Sequence, residues 1–205
     1  MAEYITWAQY RESIGDRSAM FAELVEEWPI EEALYAGSYV DLAPSTAITS
    51  VTYVDTDTRA ARYFADPKRL PADLGGRTRP GAGERVRFLA ADYTEPLDVP
   101  DGSVDLLISL FAGPVWEHCR RYLRPGGWLL ANTSHGDASL AALDPALHLI
   151  GVVRHRDGRD RLITDRLDGY LIPKRPASAD PELIRRAGRG IAYTRSAFAY
   201  VFQNA

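Results

Sequence analysis

The side chains of this chain best placed to do chemistry stand at the ends of short apolar runs. Val51-Thr52-Tyr53-Val54 ends on Asp55, 18 positions after Gly37. A carboxylate there accepts both hydroxyls of a ribose, as does the acidic residue about 20 positions after the glycine turn of a dinucleotide-binding unit. Thr56 stands beside it. The alternative is that Asp55 or Asp57 caps a helix starting near Arg59, and Asp57 suits that role. A second run, Phe88-Leu89-Ala90-Ala91, ends on Asp92, where a carboxylate can take the exocyclic amino group of a base while the Tyr93 N–H reads a ring nitrogen. Asp92 also reads as a turn former bonded to its own backbone. His135, in Asn132-Thr133-Ser134-His135-Gly136-Asp137, is the best-placed general base, with an intrinsic pKa near neutrality. Its alternative is a polar loop histidine before a helix capped by Asp137.

Strand tips require strands. Ala33 to Ala36, Val51 to Val54, Val86 to Ala90, Val104 to Leu110 and Trp128 to Ala131 alternate with helix-like stretches at Thr58 to Phe64, Val115 to Leu123 and Ala138 to Leu149. Strand and helix in alternation predict a doubly wound α/β domain, a mostly parallel Rossmann-like sheet with helices on both faces. In such a sheet ligands bind beyond the carboxyl ends of the strands. After Ile150 come short strand candidates, a polar segment from Lys174 to Gly190 and a terminal apolar stretch, Ala192 to Phe202, which together predict an antiparallel C-terminal edge. Residues 1–29 read as a helical extension packed on a domain spanning 30–205, with Gly15-Asp16 dividing two helices. Its aromatic residues Tyr4, Trp7, Tyr10, Phe21 and Trp28 either cover the site as a lid or pack on the sheet edge.

Composition narrows the function classes. With 205 residues, 46% of them apolar, the chain suits one domain with a full core. A net charge of -4, from 24 basic and 28 acidic residues, leaves no broad basic field for phosphate backbones, so nucleic acid is not expected as a partner. The single cysteine, Cys119, excludes an internal disulfide framework, and no apolar run is long enough to span a membrane. A cytoplasmic protein with no membrane partner is expected; oligomeric state is not legible. Four scattered histidines offer no metal-ligand spacing. The G-x-G-x-x-G turn of a dehydrogenase and the G-x-S-x-G elbow of a hydrolase are both missing.

The order of these marks resembles the class I S-adenosylmethionine-dependent methyltransferases over roughly residues 30 to 135. The resemblance is carried by Val54-Asp55-Thr56-Asp57, Ala91-Asp92, Pro100-Asp101-Gly102-Ser103-Val104-Asp105-Leu106-Leu107-Ile108-Ser109 and Tyr122-Leu123-Arg124-Pro125-Gly126-Gly127-Trp128-Leu129-Leu130. It implies S-adenosylmethionine as cofactor, with Gly37, Ser38 and Tyr39 facing its methionine portion, Asp55 its ribose, Asp92 its adenine amino group, and Ser109 and Leu110 both cofactor and substrate.

The departure is the first loop, Tyr35-Ala36-Gly37-Ser38-Tyr39-Val40-Asp41, with one glycine where the family has two or three and Tyr35 where it has an acid. Either Ser38, Tyr39 and Asp41 rebuild the pocket, with Asp41 holding the ligand's ammonium group, or Tyr39 and Val40 fill it. The reading is a methyltransferase acting on a small-molecule acceptor. Its alternative is a non-catalytic methyltransferase-like domain that binds a protein partner or another small ligand.

Overall fold

Apolar runs only four to seven residues long cannot close a core alone, and here they pair into one eight-stranded sheet. The computed structural model describes residues 6–205; Tyr4 lies outside them. Two helices come first, α1 (Trp7–Ile14) and α2 (Ser18–Glu27). Thr6 and Gln9 cap α1 reciprocally, each side chain accepting the other's backbone N–H. The Asp16 carboxylate accepts from Ser18 N at the start of α2.

The parallel strands are β1 (Glu32–Ala36), β2 (Ser50–Asp55), β3 (Arg85–Ala90), β4 (Val104–Ser109) and β5 (Leu123–Ala131). Between them lie α3 (Thr58–Ala65), α4 (Arg69–Leu74) and α5 (Val115–Cys119). After β5 come α6 (Asp137–Ala141), β6 (Leu147–Arg156), β7 (Arg159–Ile163), α7 (Pro181–Ala187) and β8 (Ala199–Asn204). The strand order is β3-β2-β1-β4-β5-β8-β6-β7, with the last three antiparallel to their neighbours. The order reverses between β1 and β4, so the ligand crevice of such a sheet opens there. The doubly wound, mostly parallel sheet with an antiparallel C-terminal edge is as the sequence predicts.

Two apolar clusters cover the sheet. One gathers Trp7, Phe21, Leu24, Tyr35 and Tyr53, the other Val115, Trp116, Tyr122 and Tyr200. Several segments differ from expectation. The helix foreseen over Ala138 to Leu149 stops at Ala141, because Asp144-Pro145 cannot continue it and Leu147 already pairs with Asn204. His148 therefore sits on a strand. Lys174 to Gly190 contains α7, capped by Asp180, which accepts from Glu182 N and Leu183 N, and closed by left-handed Gly188. Gly126 takes positive φ at an irregularity inside β5, where the register with β4 shifts between Val104 and Leu106.

Candidate functional site

The parallel strands point their carboxyl ends at one rim, and the foreseen site residues fall along it. Gly37 follows β1 with φ +65°, and its N–H donates to Val54 O at 2.9 Å. A Cβ here would stand 2.5 Å from the Ala112 Cβ, so only glycine fits between β1 and the β4 tip. The Tyr93 hydroxyl donates to Gly113 O at 3.1 Å and accepts from Gly113 N at 3.3 Å, tying the β3 tip to the same loop.

Asp55 ends β2 half-buried. One carboxylate oxygen accepts from Tyr39 N at 2.7 Å and the other from Asp57 N at 2.8 Å. Each oxygen retains acceptor capacity, since an ionised carboxylate offers about four lone-pair sites. Asp57 caps α3 through Arg59 N. Asp92 is exposed, and its Oδ1 accepts both the N–H and the hydroxyl of Thr94 at 2.9 and 2.8 Å. The Thr94 N–H holds the Asp92 carboxyl below its ordinary range. Thr56 is exposed beside Asp55.

Other loop side chains are engaged within the protein. Ser38 is buried, and Val40 lies in the core. Asp41, also buried, accepts from Arg17 at 2.9 Å, Tyr35 at 3.2 Å and Ala43 N at 3.2 Å. Burial pushes the Asp41 carboxyl up, against the pull of the Arg17 guanidinium. That carboxylate is committed to Arg17, and no ligand ammonium is needed to explain it. Tyr39, at φ +46°, packs edge-on against Tyr10 at 5.0 Å, under the Arg59 guanidinium. The crevice is therefore tight at Gly37 and Ala112, while the tips of β2 and β3 each keep a carboxylate.

On the other flank, Ser109 and Leu110 are buried, and the next residue, Phe111, turns outward at φ +60° with 49% of its surface exposed. Asn132 Oδ1 accepts from Phe111 N and Ser134 N, coupling the β4 and β5 tips. His135 is exposed, with its Cβ packed on Gly113, where an added methyl would stand 3.0 Å away. Asp137 does not cap its own helix; its carboxylate accepts from Trp116 N at the start of α5 at 3.2 and 3.3 Å. Burial raises its pKa to about 6, against the bond from Ser109. Sequence reasoning passed over Phe111 and Arg17, and gave Asp137 only the role of capping its own helix. For Phe111 the signal was present, since it directly follows the two β4 tip residues chosen.

No family model matches the chain. It is 35% identical over 104 residues to the 23S rRNA (guanine(748)-N(1))-methyltransferase of Streptomyces fradiae, a match covering 49% of this chain and 37% of that protein. The chain has the fold of the class I S-adenosylmethionine-dependent methyltransferases. Among solved structures, a tRNA methyltransferase, TrmI, from Aquifex aeolicus matches with a TM-score of 0.48 at 13% identity, covering 91% of this chain and 68% of that one. An arsenic(III) S-adenosylmethionine methyltransferase from Chlamydomonas reinhardtii gives 0.37 at 24% identity, over 50% and 38%. The chain thus spans well under half the length of the curated relative. That relative's substrate overturns the exclusion of nucleic acid drawn from net charge, because a whole-chain sum says nothing of where the charges lie. Among the described residues no helix of this methyltransferase fold is long and apolar enough to cross a membrane.

Proposed function

We propose that this chain transfers a methyl group from S-adenosylmethionine to a planar heterocycle. The observation that carries the reading is Asp55, half-buried at the tip of β2, beside the Gly37 turn and at the reversal in strand order. Asp55 and Thr56 hold the ribose and Asp92 with the Tyr93 N–H the adenine edge, while Gly37, Ser38 and Tyr39 face the methionine end. Ser109 and Leu110 back the floor from the buried side. When bound, S-adenosylmethionine supplies a methyl on a sulfonium, open to in-line displacement. Phe111 offers the acceptor an exposed aromatic face, and fixing the acceptor in line is itself a large part of the acceleration. His135, exposed against Gly113, takes the proton from an acceptor that must lose one.

Phe111 suits a free small-molecule ring or a base in a strand, and the ribosomal RNA substrate of the relative supports the latter. The tight meeting of Gly37 with Ala112 favours a second reading, a binding domain without methyl transfer.

Isothermal titration with S-adenosylmethionine and S-adenosylhomocysteine separates the two. Methyl transfer requires binding that Asp55→Ala weakens roughly ten- to hundredfold, the value of about 1.5–3 kcal/mol for bonds to a charged group. Failure of the folded wild-type protein to bind either ligand refutes methyl transfer and leaves the second reading.

A further inference from the structure

Charge is distributed unevenly along this chain. Residues 150–205 hold 11 of the 24 basic residues and 6 of the 28 acidic ones, a net +5 against -9 for residues 1–149. All 11 of those basic residues are exposed.

Four of them form one surface. β6 and β7 are joined by Asp157-Gly158, both at positive φ, which makes the two-residue turn that suits the twist of a hairpin. The register places Arg154 opposite Arg161 and Arg156 opposite Arg159. Residues directly opposite, and residues two apart along a strand, share a face. All four arginines therefore share one face of the hairpin, while His155 and Asp160, paired at 2.8 Å, occupy the other. Like charges directly opposite one another destabilise a hairpin. Among the described residues Arg154, Arg159 and Arg161 have no carboxylate partner, and Arg156 meets only exposed Asp157 at 3.4 Å. Beyond that exposed contact, no ion pair within the chain offsets the repulsion among the described residues.

Its position is set by the sheet. Ala131, the last residue of β5, pairs with Tyr200, and Val153 pairs with Ala199. Arg154 to Arg161 thus project beyond the sheet on the side where the parallel strands end and Phe111 emerges. Phe198, 6.1 Å from the Phe111 ring and 6.3 Å from His155, lies on the hairpin face opposite the arginines, so the two surfaces meet only around the hairpin. Across the rim, Gly136, next to His135, packs on the Arg189 backbone, which brings the end of α7 with its exposed Arg186 to the β5 tip.

We propose that the arginine face of the β6–β7 hairpin grips the phosphodiester backbone of a polynucleotide that rounds the hairpin to lay its target base on Phe111, on the other face. Resting on the methyl-transfer reading, this makes the acceptor a base within a strand. The backbone charges are met by Arg154, Arg156, Arg159 and Arg161, and the base stacks on the aromatic face as bases do on single-strand-binding surfaces.

The test is fluorescence anisotropy of a labelled RNA hairpin, and of single-stranded DNA of the same sequence, titrated with the full chain over about 50 to 200 mM salt. Four phosphate contacts give log affinity a slope of about -3 against log salt, and Arg154→Ala/Arg161→Ala reduces it by about 1.5 with at least tenfold weaker binding. The same variant keeps or raises its Tm, since an opposed like-charge pair is removed. No RNA or DNA binding by the wild-type chain, or equal binding by the variant, overturns the proposal; a preference between the two strands identifies the source of the backbone. Titration with S-adenosylmethionine on the same samples keeps the two readings apart. Cofactor binding without strand binding defeats the hairpin proposal alone, and strand binding without cofactor defeats methyl transfer alone.

Discussion

Asp137→Asn tests how the two strand tips that carry Phe111 and His135 are held together. The Asp137 carboxyl is fully buried, takes the Trp116 N–H of α5 and the Ser109 side chain, and has a pKa raised to about 6 by burial. Its unfolded value is about 3.9, so the folded state holds the proton more tightly than the unfolded one. Stability from this group is fully present below about pH 4 and is lost as pH rises through about 6. A difference of about two units at 1.36 kcal/mol each amounts to roughly 3 kcal/mol, of which about 2 falls between pH 4.5 and 7.5. Urea unfolding of wild type and variant at those two pH values isolates the effect. The advantage of wild type over Asp137→Asn should shrink by about 2 kcal/mol from pH 4.5 to 7.5, other carboxylates cancelling in the difference. A constant difference, or one that grows with pH, refutes the reasoning and assigns Asp137 a permanently ionised role at the start of α5.

Asp41→Ala leaves the Arg17 guanidinium buried without its partner, and should cost about 3–5 kcal/mol in urea unfolding; a loss under about 1 kcal/mol contradicts the assignment of that pair. Phe111→Gly removes the exposed ring and a left-handed backbone strain of about 1–2 kcal/mol, offset by roughly 0.5–1 kcal/mol of glycine entropy. Unfolding stability should therefore stay within about 1 kcal/mol and cofactor affinity should hold, while strand binding falls by the tenfold or more that one stacked base supplies, about 1–3 kcal/mol. Undiminished strand binding removes Phe111 from the acceptor site.

What this sequence determines by itself is what local pattern encodes. The apolar runs ending on Asp55, Asp92 and Ser109 mark β2, β3 and β4, Asp57 marks the start of α3, and the strand-helix alternation marks the doubly wound sheet, because period and capping depend on neighbouring residues. α7 carries the same marks in Asp180-Pro181 and Gly188, but sequence reasoning made of that stretch only a polar segment. The tertiary structure alone decides the rest. Asp41, a plausible ligand group in sequence, is claimed by Arg17, 24 positions earlier. Asp137 caps a helix 21 positions before it. The four arginines become one face only through the register across Asp157-Gly158, and the pairing of β6 with β8 carries them beyond the ends of the parallel strands. Net charge is a sum over the chain, whereas binding responds to the field at one surface. Pairing brings distant charges onto that surface, and their positions along the chain do not record it.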